Sequence, residues 1–125
     1  MTTTAWPEIE GIDTQDARSR WCDDLPLFRS MLEKCLAEYS EIVVPSSPIL
    51  AAERHFQAAR LHKLRGGACM LGAKVIEHLA AQAEAALMAG DVTRARERSI
   101  ALATHLEALR SSAAHSFERA ATAIA

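Results

Sequence analysis

The chain has 125 residues, half of them apolar, with 14 Lys and Arg against 16 Asp and Glu and a formal net charge of −2. That length is one domain's worth, and the apolar content supplies a packed core and excludes global disorder. The slightly acidic balance excludes a general nucleic-acid binder, and no apolar run reaches the roughly 20 residues that cross a bilayer.

Alanine is abundant and aromatics make up only 5% of the chain, which favours helices over sheets. Residues 1–10 read as an extended arm with Trp6 and Ile9 as its points of contact, and they lack the basic start and apolar centre of a signal peptide. Gly11 to Trp21 can form a short helix with Asp13 as its N-cap. Asp23-Asp24-Leu25-Pro26 is a stronger helix start, because acidic side chains suit the positive end of the helix dipole and proline is tolerated in a first turn. Phe28, Met31, Leu32, Cys35, Leu36, Tyr39, Ile42 and Val43 then recur at three- and four-residue steps as one apolar stripe.

Pro45-Ser46-Ser47-Pro48 breaks the chain. The next helix is expected from Ile49 to the Gly66-Gly67 pair, or as far as Cys69, with Leu50, Gln57, Ala58, Leu61, Leu64 and Ala68 on its buried side. A second strip of that helix carries His55, Ala59, His62 and Gly66, with Arg65 one turn from His62. After Gly72, Val75, Ile76, Leu79, Ala83, Ala86 and Leu87 mark another stripe, closed by Gly90 with Asp91 as the next N-cap. The last helix holds Ala95, Ser99, Leu102, Leu106, Leu109, Ala113 and Phe117 on one side and outruns the others. Short links between long helices imply antiparallel neighbours. The expected fold is therefore all-α, an antiparallel up-down four-helix bundle with a short additional N-terminal helix. The bundle is placed at residues 11–120, with a tail at 121–125.

The chemistry concentrates at His62. Two glycines follow it inside a helical stretch, where each costs about 1 kcal/mol relative to alanine. Ala59 at i−3 and Gly66 at i+4 are small and share its face, leaving the imidazole above a low surface that a partner can cover. A neutral imidazole nitrogen can accept a phosphoryl group and release it again. Lys63 and Arg65 are near enough in sequence to stabilise its negative charge. The second ring nitrogen needs a partner to fix the tautomer. Glu84 is the first candidate, since the following helix runs back alongside, and Gln82 is the fallback. Gly66 and Gly67 also read as a helix end.

Several other chemistries find no support. Seven residues of helix separate His55 from His62 by about 10 Å, too far to share one metal ion. His78, His105 and His115 show no ligand spacing with a carboxylate, so no metal site is expected. Cys22, Cys35 and Cys69 are odd in number and not in ligand spacing, and read as reduced thiols of a cytoplasmic protein. Met31, Met70 and Met88 read as core or rim residues. No glycine-rich phosphate loop or kinase nucleotide motif occurs, so a phosphoryl group has to come from another protein rather than from ATP.

The stretch from His62 to Ala73 resembles the signature of histidine-containing phosphotransfer (HPt) domains, which commonly read Ala-His-x-Leu-Lys-Gly-Ser-Ala with a Leu-Gly-Ala a few residues on. His62, Leu64, Gly66, Ala68, Leu71, Gly72 and Ala73 fall on that pattern in register. Residues 7–13 look like the family's opening segment, Asp23 to Tyr39 like its first long helix, and Ala89-Gly90-Asp91 like its last turn. Two positions depart. Leu61 replaces the usual alanine, and Arg65 replaces the usual lysine, keeping the charge with a different donor geometry.

The resemblance implies a phosphorelay intermediate. His62 takes a phosphoryl group from the phospho-aspartate of a receiver domain and passes it to another receiver domain. One donor is expected in a hybrid sensor kinase. A Gln or Glu near the spacing of Glu84 approaches the histidine in such domains. The chain itself is expected to bind no cofactor, the Mg2+ ion of the reaction belonging to the receiver. It is expected to act as a monomer, without nucleic acid or membrane. The docking face is expected at His55, Ala59, Gly66 and Gly67. The rival reading is a non-catalytic helical adaptor that binds a response regulator or sensor kinase.

Overall fold

A computed structural model describes residues 6–124. Five helices follow one another, α1 (Thr14–Arg20), α2 (Leu25–Glu38), α3 (Ala51–Leu71), α4 (Lys74–Met88) and α5 (Val92–Ile124), and no strand occurs among the described residues. Side-chain pairs fix their directions. Glu38 meets Lys63, His62 meets Glu84, and Arg110 reaches the carbonyl of Leu36. Trp21, just before α2, donates to the Met70 carbonyl late in α3, whereas Glu38 at the end of α2 meets Lys63 further back. The short turns at Gly72 and Gly90 reverse the chain into α4 and then α5, so α2 to α5 run alternately up and down. This is the four-helix bundle with a short N-terminal helix.

The caps follow local chemistry. The Asp13 carboxylate accepts from Asp16 N at 3.1 Å and opens α1. Asp24 does the same for α2 through Leu27 N at 3.1 Å, and Asp91 accepts from Arg94 N at 3.0 Å at the start of α5. Asp13 also pairs with Lys74 at 3.0 Å, and the amide and the ammonium together hold its carboxyl below the usual carboxylate range. Residues 6–10 pack on the body. Trp6 stacks on Phe28 with ring centroids 4.9 Å apart, Ile9 is buried, and Ser116 donates to the Glu8 carbonyl at 2.8 Å. The expected arm thus forms part of the body from Trp6 onward, and its first five residues lie outside the described ones.

Three expected boundaries move. The α2 stripe does not continue as helix through Ile42 and Val43, because α2 stops at Glu38. Two of its last carbonyls, at Leu36 and Glu38, and that of Glu41 just beyond it are taken by distant arginines. Arg60 donates to Glu38 O at 2.8 Å and Glu41 O at 3.0 Å, and Arg110 donates to Leu36 O at 2.8 Å. Second, α3 does not end at Gly66-Gly67. It runs through both and closes at Gly72, where Ala73 N donates to Ala68 O at 2.9 Å. Burial of Leu64, Ala68 and Leu71 holds the helix across the glycines. Gly72 itself is left-handed (φ 76°), and a Cβ there would stand 2.9 Å from the Asp13 carbonyl. Third, α5 remains helical to Ile124, past the expected limit of the bundle.

The core joins Phe28, Leu32 and Leu36 of α2 to Leu61, Leu64 and Ala68 of α3, to Ile76, Ala80, Ala83 and Leu87 of α4, and to Leu102, Leu106, Leu109 and Phe117 of α5. The stripes of the last two helices hold except at Val75, which is exposed in the first turn of α4. Leu50, also expected inside, precedes α3 and is 75% exposed.

Candidate functional site

His62 stands just past the middle of α3 on the side facing α4, with its side chain 62% exposed. The antiparallel return of α4 across the Gly72 turn brings Glu84 opposite. His62 Nδ1 lies 3.0 Å from Glu84 Oε2 and 3.4 Å from Oε1. An ionised carboxylate can only accept, so the nitrogen donates and carries the proton. In the neutral ring the free lone pair is then on Nε2, and among the described residues no hydrogen bond reaches that atom. Glu84 is only 20% exposed, which limits how far water can compete for it.

Arg65 is on the same side of the ring as Glu84. Its guanidinium lies 3.7 Å from Glu84 Oε1 and 3.4 Å from His62 Nδ1. Lys63 goes elsewhere. Its ammonium pairs with Glu38 of α2 at 2.9 Å, and that contact raises its pKa above the ordinary lysine value. The side chain expected to supply charge beside His62 is therefore engaged across the neighbouring groove. Gln82 is also not at His62, since its amide lies 3.0 Å from His78 Nε2, one turn back on α4.

His55, Ala59, His62 and Gly66 line up as an exposed strip along α3. A Cβ on Gly66 would meet nothing within 4 Å, so open space lies beside the imidazole. Gly67 differs. It is half-buried and turned toward α2, where a Cβ would lie 3.9 Å from Cys35 Sγ. It lines a groove edged by Met31, Cys35, Lys63 and Met70. Met31 and Met70 are exposed, rim rather than core residues, and what the sequence did not show is that they border one groove with Cys35 and Lys63. Met70 lies off the buried stripe of α3, which is the one signal that marked it. Burial pushes the Cys35 thiol up to about 11. No cluster of three or more His, Cys, Asp or Glu side chains that could hold a metal ion occurs among the described residues.

A family model described as the Hpt domain matches residues 25–112, which take in all of α2, α3 and α4 and most of α5. The chain belongs to the Hpt domain family. Hpt domains serve histidine phosphotransfer in phosphorelays and interact with receiver domains. Comparison with curated proteins and with solved structures gives no match. The match covers the helix with the exposed histidine and the helix that supplies its carboxylate. No helix of this Hpt domain is long and apolar enough to cross a membrane, among the described residues.

Proposed function

We propose that His62 is the phosphoryl acceptor of this Hpt domain. The observation that carries the reading is the contact of Nδ1 with Glu84 at 3.0 Å, which leaves Nε2 unprotonated on an exposed face. The Nε2 lone pair attacks the phosphorus of a receiver phospho-aspartate. The N–P bond forms as the P–O bond to the aspartate breaks, and the aspartate carboxylate leaves with the electron pair. The Nδ1 proton stays in place, and Glu84 balances the positive charge that the ring acquires. The reverse sequence passes the group to a second receiver aspartate.

The receiver docks over the strip of His55, Ala59, His62 and Gly66, where the missing Cβ of Gly66 allows close approach. The chain acts as a monomer in the cytoplasm, and one of its receivers belongs to a hybrid sensor kinase. Mixing the protein with a 32P-phosphorylated receiver is the test. Acid-labile, alkali-stable label is expected on the wild type and none on His62→Gln. Label of the same yield on His62→Gln refutes the assignment, and receiver binding without label on either protein favours the adaptor.

A further inference from the structure

The side chain three residues after the histidine carries a charge, and direct contact with the phosphoryl group is the obvious use for it. The geometry here points to another use. We infer that Arg65 is a positioning residue: it holds the Glu84 carboxylate against His62 Nδ1, and acts on the phosphoryl group only through that contact. This rests on His62 being the acceptor.

Three distances carry the inference. Arg65 lies 3.7 Å from Glu84 Oε1, Glu84 Oε2 lies 3.0 Å from Nδ1, and Arg65 itself lies 3.4 Å from Nδ1. All three contacts are on the Nδ1 side of the ring, whereas the reacting atom is Nε2. The two contacts at Nδ1 are also mutually exclusive as hydrogen bonds. If Nδ1 donates to Glu84 it has no lone pair left for the Arg65 N–H, and if it accepts from Arg65 its proton sits on Nε2 and blocks attack. The shorter contact is the one with Glu84, and the carboxylate also attracts the guanidinium. Arg65 therefore gains most by pairing with Glu84, which removes it as a competitor for Nδ1 and fixes the carboxylate that keeps Nε2 free. Glu84 has few other restraints, since no further hydrogen bond or ion pair reaches its side chain among the described residues.

The test is a double-mutant cycle on the full chain, read as the rate of phosphoryl acceptance from a phosphorylated receiver. Arg65→Met in the wild-type background is expected to slow acceptance about two- to fivefold, the worth of a half-exposed ion pair. In the Glu84→Gln background, whose amide oxygen still accepts from Nδ1 but no longer attracts a cation, Arg65→Met is expected to have no effect. Arg65→Lys should recover most of the wild-type rate. Nitrogen-15 NMR of the imidazole supplies a readout that a scaffold role would not move: Arg65→Met should raise the population protonated at Nε2. A loss near a hundredfold that persists undiminished in Glu84→Gln is the size of direct charge stabilisation and overturns the inference while leaving His62 as acceptor. A wild-type protein that takes no label overturns both.

Discussion

Lys63 Nζ lies 2.9 Å from Glu38 Oε1, and this contact turns the lysine next to the histidine toward α2. The relationship separates the two cations that flank His62. Arg65 shares the ring's carboxylate, while Lys63 bridges the groove between α2 and α3.

Replacing Lys63 is accordingly expected to do little to the chemistry. Lys63→Ala should change the rate of phosphoryl acceptance by less than about twofold, since both partners are exposed and such pairs contribute little. Glu38→Ala should match it. Quench-flow rates with a single phosphorylated receiver check both, and a tenfold loss with Lys63→Ala alone would assign that lysine to the phosphoryl group.

Gly66 should show stability and function in opposition. It lies inside α3 with open space around it, so Gly66→Ala is expected to stabilise the fold by about 0.5–1 kcal/mol. That corresponds to a Tm increase of about 2–5 °C for a chain of this size. Gly66→Leu should fold equally well yet slow transfer from the receiver at least about tenfold, because on the proposed docking strip its side chain would stand in the partner's way. Calorimetry and transfer rates on the same samples make the comparison.

Gly72 should behave in the opposite way. Its left-handed backbone costs an L-residue about 1–2 kcal/mol, and a Cβ would press on the Asp13 carbonyl at 2.9 Å. Gly72→Ala should therefore lower stability by about 2 kcal/mol or more in urea unfolding. A change under 0.5 kcal/mol, taken as a rough threshold for surface substitutions, would mean that the contact between α1 and the turn is not tight.

The thiols give a prediction in pH. Cys22 is exposed, whereas burial raises Cys35 to about 11. The reactive form is the thiolate, and a raised pKa delays its appearance to higher pH. Iodoacetamide near neutral pH should alkylate Cys22 first and leave Cys35 protected. Labelling of Cys35 should climb only as the pH approaches 11, which peptide mass spectrometry can follow. Equal labelling of the two at neutral pH would contradict the burial.

Local signals carried most of the fold. Asp13, Asp24 and Asp91 each cap the helix that their position in the chain suggests, and Gly90 closes α4 with positive φ. The contact of Glu84 with His62 was also legible, because two antiparallel helices joined by a tight turn place residues at similar distances from the turn side by side. What was not legible depends on partners far along the chain. The end of α2 is set by Arg60 and Arg110, 22 and 74 residues beyond the carbonyls they bind at Glu38 and Leu36. The direction taken by Lys63 depends on Glu38, 25 residues away. The passage of α3 through Gly66-Gly67 depends on buried neighbours that outweigh helix propensity, and propensity is a weak prior against packing.

The central claim is that the phosphoryl group rides on His62 Nε2. Nitrogen-15 and phosphorus-31 NMR of the protein after incubation with a phosphorylated receiver locates it most directly. The predicted result is a single phosphorus coupled to Nε2 of His62, with Nδ1 still protonated and facing Glu84. A phosphorus on Nδ1, or on His55, His78, His105 or His115, would contradict the account.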